Sequence, residues 1–284
     1  MEKIFFTKMQ GLGNDFVILD WEEFQEIKEP VETLAVKMCN RNFGVGADGL
    51  IIVVPDSQKA DLSWIFYNSD GTPAQMCGNG MRCFAKYALN KGYVDKHEFS
   101  VETKAGIISP KINPDGTVTV NMGKPVFEPA KIPFKGEYNF NYEIELWAKK
   151  FKLNCVSMGN PHCVIFTEEN IKTMALDYGP DIEKHELFPE KTNVEFINIK
   201  SANEIDLAVW ERGCGITLAC GTGACASVVA GIMNGYLGNS VKVNLPGGAL
   251  NIDWQGSKNN PDMDVFMTGE AAFSFEGVFY NKKC

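Results

Sequence analysis

One motif occurs twice in this chain, half a chain apart, and the repetition limits the possible folds more than any other feature. Residues 77–93 begin Cys-Gly-Asn-Gly and residues 220–236 begin Cys-Gly-Thr-Gly; both end in Gly-Tyr, with five identities in seventeen positions and no gap. Earlier in each half, Gly13-Asn14 and Gly159-Asn160 each precede an apolar run. Two motifs that recur in the same order and at nearly equal offsets predict an internal duplication that gives two similar domains.

Each half of the chain has the pattern of an α+β domain. Apolar-alternating runs between turn residues are typical of strands, and they occur at residues 4–8, 16–20, 50–54, 62–67, 117–121, 194–199, 207–211 and 241–245. Each Cys-Gly-x-Gly motif opens a segment that ends at a glycine, which predicts helices over 78–89 and 221–233. The pattern indicates a helix threaded by a wrapped sheet in each half, with further helices over 31–39 and 171–178.

Composition and charge exclude several classes of protein. A hydrophobic share of 45% and a charged share of 22% are typical of packed domains rather than disordered chains. A net charge of −9 argues against a nucleic-acid partner, because phosphate binding needs a basic surface. The longest apolar run, residues 50–54, is too short to cross a membrane, and the first residues lack a signal-peptide pattern. We therefore expect a cytoplasmic protein with no membrane partner.

The cysteines fit neither a disulfide framework nor a structural zinc site. The chain has an odd number of them, nine, in no Cys-x-x-Cys pair, and only three histidines. Apart from any that are reactive thiols, they are therefore expected to be packing or surface residues. The nine are Cys39, Cys77, Cys83, Cys155, Cys163, Cys214, Cys220, Cys225 and Cys284.

The Cys-Gly-x-Gly motif suits a reactive thiol beside a bound anion. The first N–H groups of a helix lack helical partners and carry partial positive charge, so a cysteine there is expected to have a lowered pKa. Glycine N–H groups at the same place can hold a carboxylate. Two copies predict two thiols that converge on one ligand. Such a pair could invert a carbon next to a carboxylate, since one thiolate removes the α-proton and the other thiol supplies one, with no cofactor.

Eight segments along the chain carry a family resemblance. They are residues 9–16 (MQGLGNDF), 41–49 (RNFGVGADG), 66–71 (FYNSDG), 76–83 (MCGNGMRC), 158–163 (MGNPHC), 192–196 (TNVEF), 210–225 (WERGCGITLACGTGAC) and 245–248 (LPGG). In this order they resemble the diaminopimelate epimerase family. The resemblance implies two pseudo-symmetric α+β domains from an internal duplication, each a β-barrel-like sheet wrapped round a central helix. It also implies a cofactor-independent isomerase that interconverts LL- and meso-diaminopimelate in lysine and cell-wall precursor biosynthesis, as a homodimer.

The resemblance also assigns site residues. It implies Cys77 and Cys220 as the acid–base pair, assisted by His162 and Glu211. It implies substrate contacts from Asn14, Asn68, Gly78, Asn79, Asn160, Asn193, Glu211, Arg212, Gly221 and Thr222, with no metal ligand. The predicted domains are residues 1–122 with 267–284, carrying Cys77, and 123–266, carrying Cys220, with the active site in the cleft between them. Gly49 and Ile216 depart from the family pattern, in which Gln and Glu are common.

Two other functions are compatible with the motif. One is a cofactor-independent racemase of another amino acid, such as histidine or proline, although proline-type relatives usually carry His where this chain has Asn79. The other is an isomerase without racemase activity, or a binding protein, that shares the fold. Such proteins usually lack one or both cysteines, whereas Cys77 and Cys220 are both present here.

Overall fold

The structure is a computed structural model that describes residues 2–281. The chain divides into two units: the first runs to Val120 and resumes at Gly269, and the second is Asn121–Thr268. No helix among the described residues is long and apolar enough to cross a membrane. Cys284, predicted above to be a packing or surface residue, lies outside the described residues.

Both units are rich in strands and have few helices. The helices are α1 (Trp21–Gln25), α2 (Val31–Cys39), α3 (Gly78–Asn90), α4 (Ile171–Glu183) and α5 (Gly221–Met233), with one 3₁₀ turn at Pro129–Lys131. The strands up to residue 121 are β1 (Glu2–Gly11), β2 (Asn14–Leu19), β3 (Gly49–Val54), β4 (Leu62–Asn68), β5 (Val101–Thr103), β6 (Gly106–Ile108), β7 (Lys111–Ile112) and β8 (Val118–Asn121). The later strands are β9 (Tyr142–Leu146), β10 (Lys149–Ser157), β11 (Pro161–Phe166), β12 (Asn193–Ser201), β13 (Glu204–Glu211), β14 (Gly215–Ile216), β15 (Ser240–Leu245), β16 (Gly248–Trp254), β17 (Val265–Gly269) and β18 (Ala272–Asn281).

The two units repeat the same strand pairings in the same chain order. In the first unit, β1 and β2 are antiparallel, β2 and β3 parallel, β3 and β4 antiparallel, β4 and β5 parallel, and β5 and β6 antiparallel. In the second unit, β10, β11, β12, β13, β15 and β16 follow the same alternation. The parallel steps are crossovers, and α3 and α5 occupy the equivalent one in each unit. This shared topology confirms the predicted α+β fold with a duplicated architecture.

The crossover helices α3 and α5 are almost entirely buried. Residues Gly78–Ala85 of α3 are all buried, and so are Gly223–Gly231 of α5. Helix α5 can be enclosed because its side chains are small. At Gly231 an added Cβ would lie 2.3 Å from the Leu237 side chain, so that position admits no side chain without rearrangement. Burial on all sides fits the sequence, which shows no polar face on this helix.

Ten strands, helix α1 and the last turn of α4 were not predicted from the sequence; the strands are β5, β6, β7, β9, β10, β11, β14, β16, β17 and β18. Strands β10 and β11 were missed because lysines interrupt the first and a proline begins the second; a proline is compatible with the first position of a strand. Helix α4 continues past Pro180 to Glu183, beyond the predicted end at residue 178. The Glu183 carboxylate accepts hydrogen bonds from Trp210 Nε1 (2.8 Å) and the Gly213 N–H (3.1 Å), which hold this last turn.

Candidate active site

Cys77 and Cys220 occupy the same position at the starts of equivalent helices. Cys77 is the N-cap of α3 and Cys220 is the N-cap of α5, both with extended backbone. Each Sγ accepts a hydrogen bond from the N–H three residues later, Gly80 or Gly223, at 3.4 Å in both cases. This cap uses one of the unpaired N–H groups and leaves those of the two intervening residues, 78–79 and 221–222, at the positive helix end.

In the first unit, the Cys77 thiol lies among amide side chains. It donates to Asn14 Oδ1 at 3.6 Å, and the same oxygen accepts from Asn79 Nδ2 at 3.2 Å. Arg82, which is fully buried, donates from Nη1 to Asn79 Oδ1 at 2.9 Å and from Nε to the carbonyl of Glu270 at 3.0 Å. Asn14 and Asn79 therefore have fixed amide orientations beside the thiol.

An ion-pair cluster holds the segment that carries Asn14. Asp48 accepts from Asn14 Nδ2 at 2.6 Å, and Arg41 bridges Asp48 and Asp15 at 2.7 and 2.8 Å. Lys8 pairs with Asp15 at 2.7 Å. Burial alone would raise the pKa of Asp15, but the hydrogen bonds and charges of Arg41 and Lys8 outweigh it and lower the pKa to about 2. None of Lys8, Asp15, Arg41 and Asp48 was among the predicted site residues.

In the second unit, the Cys220 thiol lies beside a buried acid–base pair. His162 Nδ1 is 2.7 Å from Glu195 Oε1, and both side chains are fully buried. His162 Nε2 is 3.0 Å from Asn160 Oδ1. A donor atom of His162, one of Glu195 and the Cys220 Sγ all lie within 4.8 Å of one another. His162, Asn160 and Cys220 were predicted; Glu195 was not.

The prediction of a lowered thiol pKa is wrong for Cys220. Burial raises its pKa well above the ordinary value, and the negative charges of Glu211 and Glu195 add to the effect. Hydrogen bonds from Thr222 and from the Gly223 N–H act in the opposite direction but are weaker. The rule for helix N-termini holds for a solvated thiol, whereas Cys220 is enclosed. Cys220 is therefore a protonated thiol at neutral pH.

Other predicted residues of the second unit form a second hydrogen-bonded group. Asn193 Nδ2 donates to the Pro161 carbonyl at 2.8 Å, and Asn193 Oδ1 accepts from the Arg212 N–H at 3.0 Å. Glu211 accepts a hydrogen bond from the Thr217 hydroxyl. Asn193 thus ties the start of β11 to the end of β13, while the Arg212 side chain is exposed and donates to the Glu190 carbonyl at 3.1 Å.

The strand registers show which site residues are equivalent in the two units. Asn68 pairs with Gly49 in the first unit, and Trp210 pairs with Val194 in the second. Continuing the second register by one residue sets Glu211 against Asn193, so Asn68 and Glu211 are counterparts. Phe16 pairs with Gly49, and His162 pairs with Asn193. Phe16 and Ile51 in the first unit therefore correspond to His162 and Glu195 in the second.

The comparisons with known proteins agree with this geometry. A family model described as diaminopimelate epimerase matches residues 6–128 and 154–274. The diaminopimelate epimerase of Halothermothrix orenii is 49% identical over 281 residues, which cover 96% of each chain. The chain belongs to the diaminopimelate epimerase family. Members of this family are isomerases, and this places the chain among the epimerases.

Solved structures with the same fold extend beyond the family. A Bacillus anthracis protein of the PhzF family superposes with a TM-score of 0.72 at 15% identity and covers 98% of this chain and 99% of its own. A hydroxyproline epimerase from Agrobacterium vitis gives a TM-score of 0.69 at 12% identity, with 97% and 92% coverage. At these identities the likeness concerns the fold alone.

The remaining predicted residues lie near the helix starts or at strand ends. Gly78, Asn79, Gly221 and Thr222 form the first turns of α3 and α5, and the Thr222 hydroxyl is 3.6 Å from Cys220 Sγ. Asn68 ends β4 and donates to the Thr72 hydroxyl at 3.0 Å.

At Gly49, an added Cβ would lie 2.6 Å from the Phe66 ring and 2.9 Å from the Tyr67 carbonyl. A larger residue there would need rearrangement.

Glu195 is the main functional candidate that the sequence reasoning missed. It lies within the 192–196 family segment, but a single carboxylate in the middle of a strand is usually solvent-facing. The signal that could have found it is the repeat itself, because Glu195 falls where the first half has Ile51. Together with His162 and Cys220 it brings nitrogen, oxygen and sulfur donors close enough to hold a metal ion. The hydrogen bond between Glu195 Oε1 and His162 Nδ1 already explains why these two side chains lie close together.

The other described cysteines differ from one another in burial. Cys39, Cys83, Cys155, Cys163 and Cys225 are buried, and Cys214 is exposed on the turn after β13. Burial raises the pKa of Cys39 and of Cys83 to about 12. At neutral pH these two are inert thiols.

Proposed function

We propose that this chain interconverts LL- and meso-diaminopimelate by moving one α-proton with two cysteines, Cys77 and Cys220. Membership of the diaminopimelate epimerase family supports the substrate. The observation that carries the two-thiol proposal is the pair of equivalent N-cap cysteines, each of which accepts a hydrogen bond from a glycine N–H at 3.4 Å. A duplicated fold that keeps a thiol at both helix starts is suited to a reaction that needs one acid and one base.

In the proposed reaction, a thiolate accepts the α-proton and the electron pair of the C–H bond passes to the substrate carboxylate. The other thiol then donates its proton to the opposite face of the same carbon. One thiolate and one thiol thus exchange states, and no redox partner is consumed. The N–H groups of residues 78–79 and 221–222 are placed to bind the carboxylate as charge develops on it.

The surroundings of the two cysteines suggest different resting states. Cys220 is a thiol at rest, because burial and nearby carboxylates disfavour its charge. In one direction of the reaction, Cys220 therefore acts as the acid that donates a proton to the α-carbon. To act as a base in the reverse direction, it must first lose its proton to a neighbour, and His162 lies within 4.8 Å. We assign His162 this proton-accepting role and Glu211 an electrostatic role that keeps Cys220 protonated.

The far end of the substrate carries a second ammonium and a second carboxylate. We propose that the exposed Arg212 side chain binds that carboxylate through paired N–H donors. Asn68, Asn160 and Asn193 supply amide donors and acceptors for the remaining groups. This set is predominantly neutral, as expected for a zwitterionic end group.

Incubation of the protein with LL- or meso-diaminopimelate in heavy water, without pyridoxal phosphate, tests the function. We expect α-deuteration and conversion between the two isomers, unchanged after dialysis against a metal chelator. Proline, hydroxyproline and histidine serve as control substrates. Exchange with one of these but not with diaminopimelate would favour the racemase alternative, and no exchange with any would favour a non-racemase function.

We also propose that two copies of the chain associate through β18. This strand lies at the edge of its sheet, where one row of backbone N–H and C=O groups is available for pairing. Phe275 and Tyr280 on it are 51% and 54% exposed, an unusual amount for aromatic side chains. Sedimentation of the wild type and of Tyr280→Glu would test this, with a dimer expected for the first and a monomer for the second.

The proposal includes a cytoplasmic location, since free thiols persist in a reducing compartment.

A further inference from the structure

We propose that Glu195 is a positioning residue for the proposed epimerase reaction: it holds His162 in the tautomer that exchanges a proton with Cys220. This inference rests on the proposed function, because it concerns how Cys220 is made ready to act as a base. It starts from one contact, 2.7 Å between Glu195 Oε1 and His162 Nδ1.

The contact fixes which ring nitrogen carries a hydrogen. A carboxylate can only accept, so Nδ1 must be the N–H donor and Nε2 is left with its lone pair in the neutral ring. The atom 3.0 Å from Nε2 is Asn160 Oδ1, which can only accept a hydrogen bond. To donate to an unprotonated Nε2, the Asn160 amide must turn so that Nδ2 takes the place of Oδ1. Without Glu195, nothing described around the ring would favour this tautomer.

The burial of Glu195 argues against a merely structural role. Its side chain is fully buried, and its Oε2 has no hydrogen-bond partner among the described residues. A buried carboxylate with an unsatisfied oxygen is destabilising, and an apolar residue of similar size would be more favourable for folding. The first unit shows that substitution directly, because Ile51 occupies the equivalent strand position.

The neighbouring helix start brings Glu195 against the reactive thiol. A Cβ added to Gly223 would lie 2.7 Å from Glu195 Oε1 and 3.2 Å from Cys220 Sγ, so the carboxylate and the thiol share the space beside this glycine. At Gly80 the equivalent neighbours are Ile51 and Phe16, at 3.3 and 3.4 Å. Of the two helix starts, that of Cys220 has a carboxylate–imidazole pair beside it, whereas the described neighbours of Gly80 at the Cys77 helix start are apolar.

The other titratable groups around the pair are few. Cys163 on β11 feels the charge of Glu195, Cys155 is the hydrogen-bonded neighbour of Cys163, and Glu211 acts on Cys220 from β13. Burial keeps Cys163 protonated, and Glu211 is engaged by Thr217. These groups leave Glu195 as the carboxylate in direct contact with the His162 ring.

The test compares Glu195→Gln with the wild type by nitrogen NMR of ¹⁵N-labelled histidine. Glu183→Gln is the matched control, because Glu183 is also a buried carboxylate of the second unit but bonds to Trp210 and Gly213. We expect the neutral His162 ring of the wild type and of the control to carry its hydrogen on Nδ1. In Glu195→Gln, the Nε2-protonated form should become populated.

Rates provide the second readout. We expect kcat/KM of Glu195→Gln to fall roughly 10- to 100-fold, with an altered pH profile, while Glu195→Asp, which keeps the charge, recovers part of the loss. An unchanged His162 tautomer together with an unchanged pH profile in Glu195→Gln would overturn the proposal, even if the rate fell. The NMR result does not depend on turnover, and activity of the wild type is measured separately. Failure of the proposed function is therefore distinguishable from failure of this inference.

Discussion

The helix starts at Cys77 and Cys220 share a backbone arrangement but differ in what surrounds the thiol. Cys77 is half-buried and donates to the Asn14 amide. Cys220 is buried beside His162 and Glu195, at strand positions where the first unit has Phe16 and Ile51. The two units thus share the geometry that places each thiol, but an imidazole and a carboxylate lie beside Cys220 at strand positions where the first unit has apolar side chains.

The two units also differ in how they hold their site asparagines. Asn14 is fixed by Asp48 and, through it, by Arg41 and Asp15. In the second unit the equivalent segment is fixed without charges, because the Asn193 side chain bonds to the Pro161 carbonyl. Charged side chains therefore hold the backbone segment beside Cys77, whereas beside Cys220 the buried Glu195 and His162 lie next to the thiol itself.

Removing either thiol should have the largest effect. Cys77→Ser and Cys220→Ser should each lower kcat/KM by roughly 10³-fold or more, since a serine hydroxyl is too weak an acid and too poorly ionised to replace a thiol. The loss should be equal in both directions, because the equilibrium constant fixes the ratio of the two kcat/KM values. Rates measured from each isomer provide the check. Near-normal turnover in either variant would contradict the proposed equivalence of the two thiols in the reaction.

Substitutions at the equivalent positions 162 and 16 should separate the two environments. His162→Gln should lower kcat/KM roughly 100-fold, because it removes the proton acceptor beside Cys220. Phe16→Leu should change kcat/KM by less than about threefold, since it exchanges one apolar packing residue for a smaller one and removes no group that can carry a proton. Thermal unfolding of both variants controls for stability. Equal losses at the two positions would mean that His162 acts by packing.

The features that the sequence predicted are those that depend on local rules. The Cys-Gly-x-Gly motifs predicted α3 and α5, because an N-cap followed by glycines and closed by Gly92 or Gly235 determines where a helix starts and stops. The eight predicted strands were found because short runs rich in apolar residues, either alternating with polar ones or continuous as in residues 50–54, lie between turn residues. The duplication was visible because the repeated residues occupy backbone positions with special requirements.

The features that the sequence did not predict depend on tertiary pairing. Glu195 becomes buried only because β12 pairs with β11, which brings it against His162. The raised pKa of Cys220 likewise follows from enclosure of α5 by the sheet, which no local rule describes. The Asp15 and Arg41 pair joins residues 26 positions apart, with no pattern in the sequence to link them.

Alanine substitutions at Gly80 and Gly223, whose N–H groups donate to the two thiols, should change activity less than the substitutions above. At Gly223 an added Cβ would meet Glu195 Oε1 at 2.7 Å and must displace the carboxylate or the helix start. At Gly80 the nearest atoms belong to Ile51 and Phe16 at 3.3 and 3.4 Å, which small shifts accommodate. We expect Gly223→Ala to lower kcat/KM about tenfold and Gly80→Ala to lower it by a few-fold at most. A larger loss from Gly80→Ala would show that the spacing beside Cys77 is the more critical one.

The last and smallest expected effect concerns stability in acid, which should depend on the ion pairs of Asp15 in the first unit. The folded-state pKa of Asp15 is about 2, below its value of 3.8 in an unfolded chain. Its ion pairs therefore stabilise the fold fully above pH 4, and this stabilisation is lost as the pH falls towards 2. Asp15→Asn should lower the free energy of unfolding by about 1–2 kcal/mol at pH 7, and the difference from wild type should shrink to a small fraction of that value at pH 2, where about half of the folded molecules have lost the charge. Denaturant unfolding at both pH values provides the measurement. A difference that is as large at pH 2 as at pH 7 would mean that Asp15 acts through hydrogen bonding rather than charge.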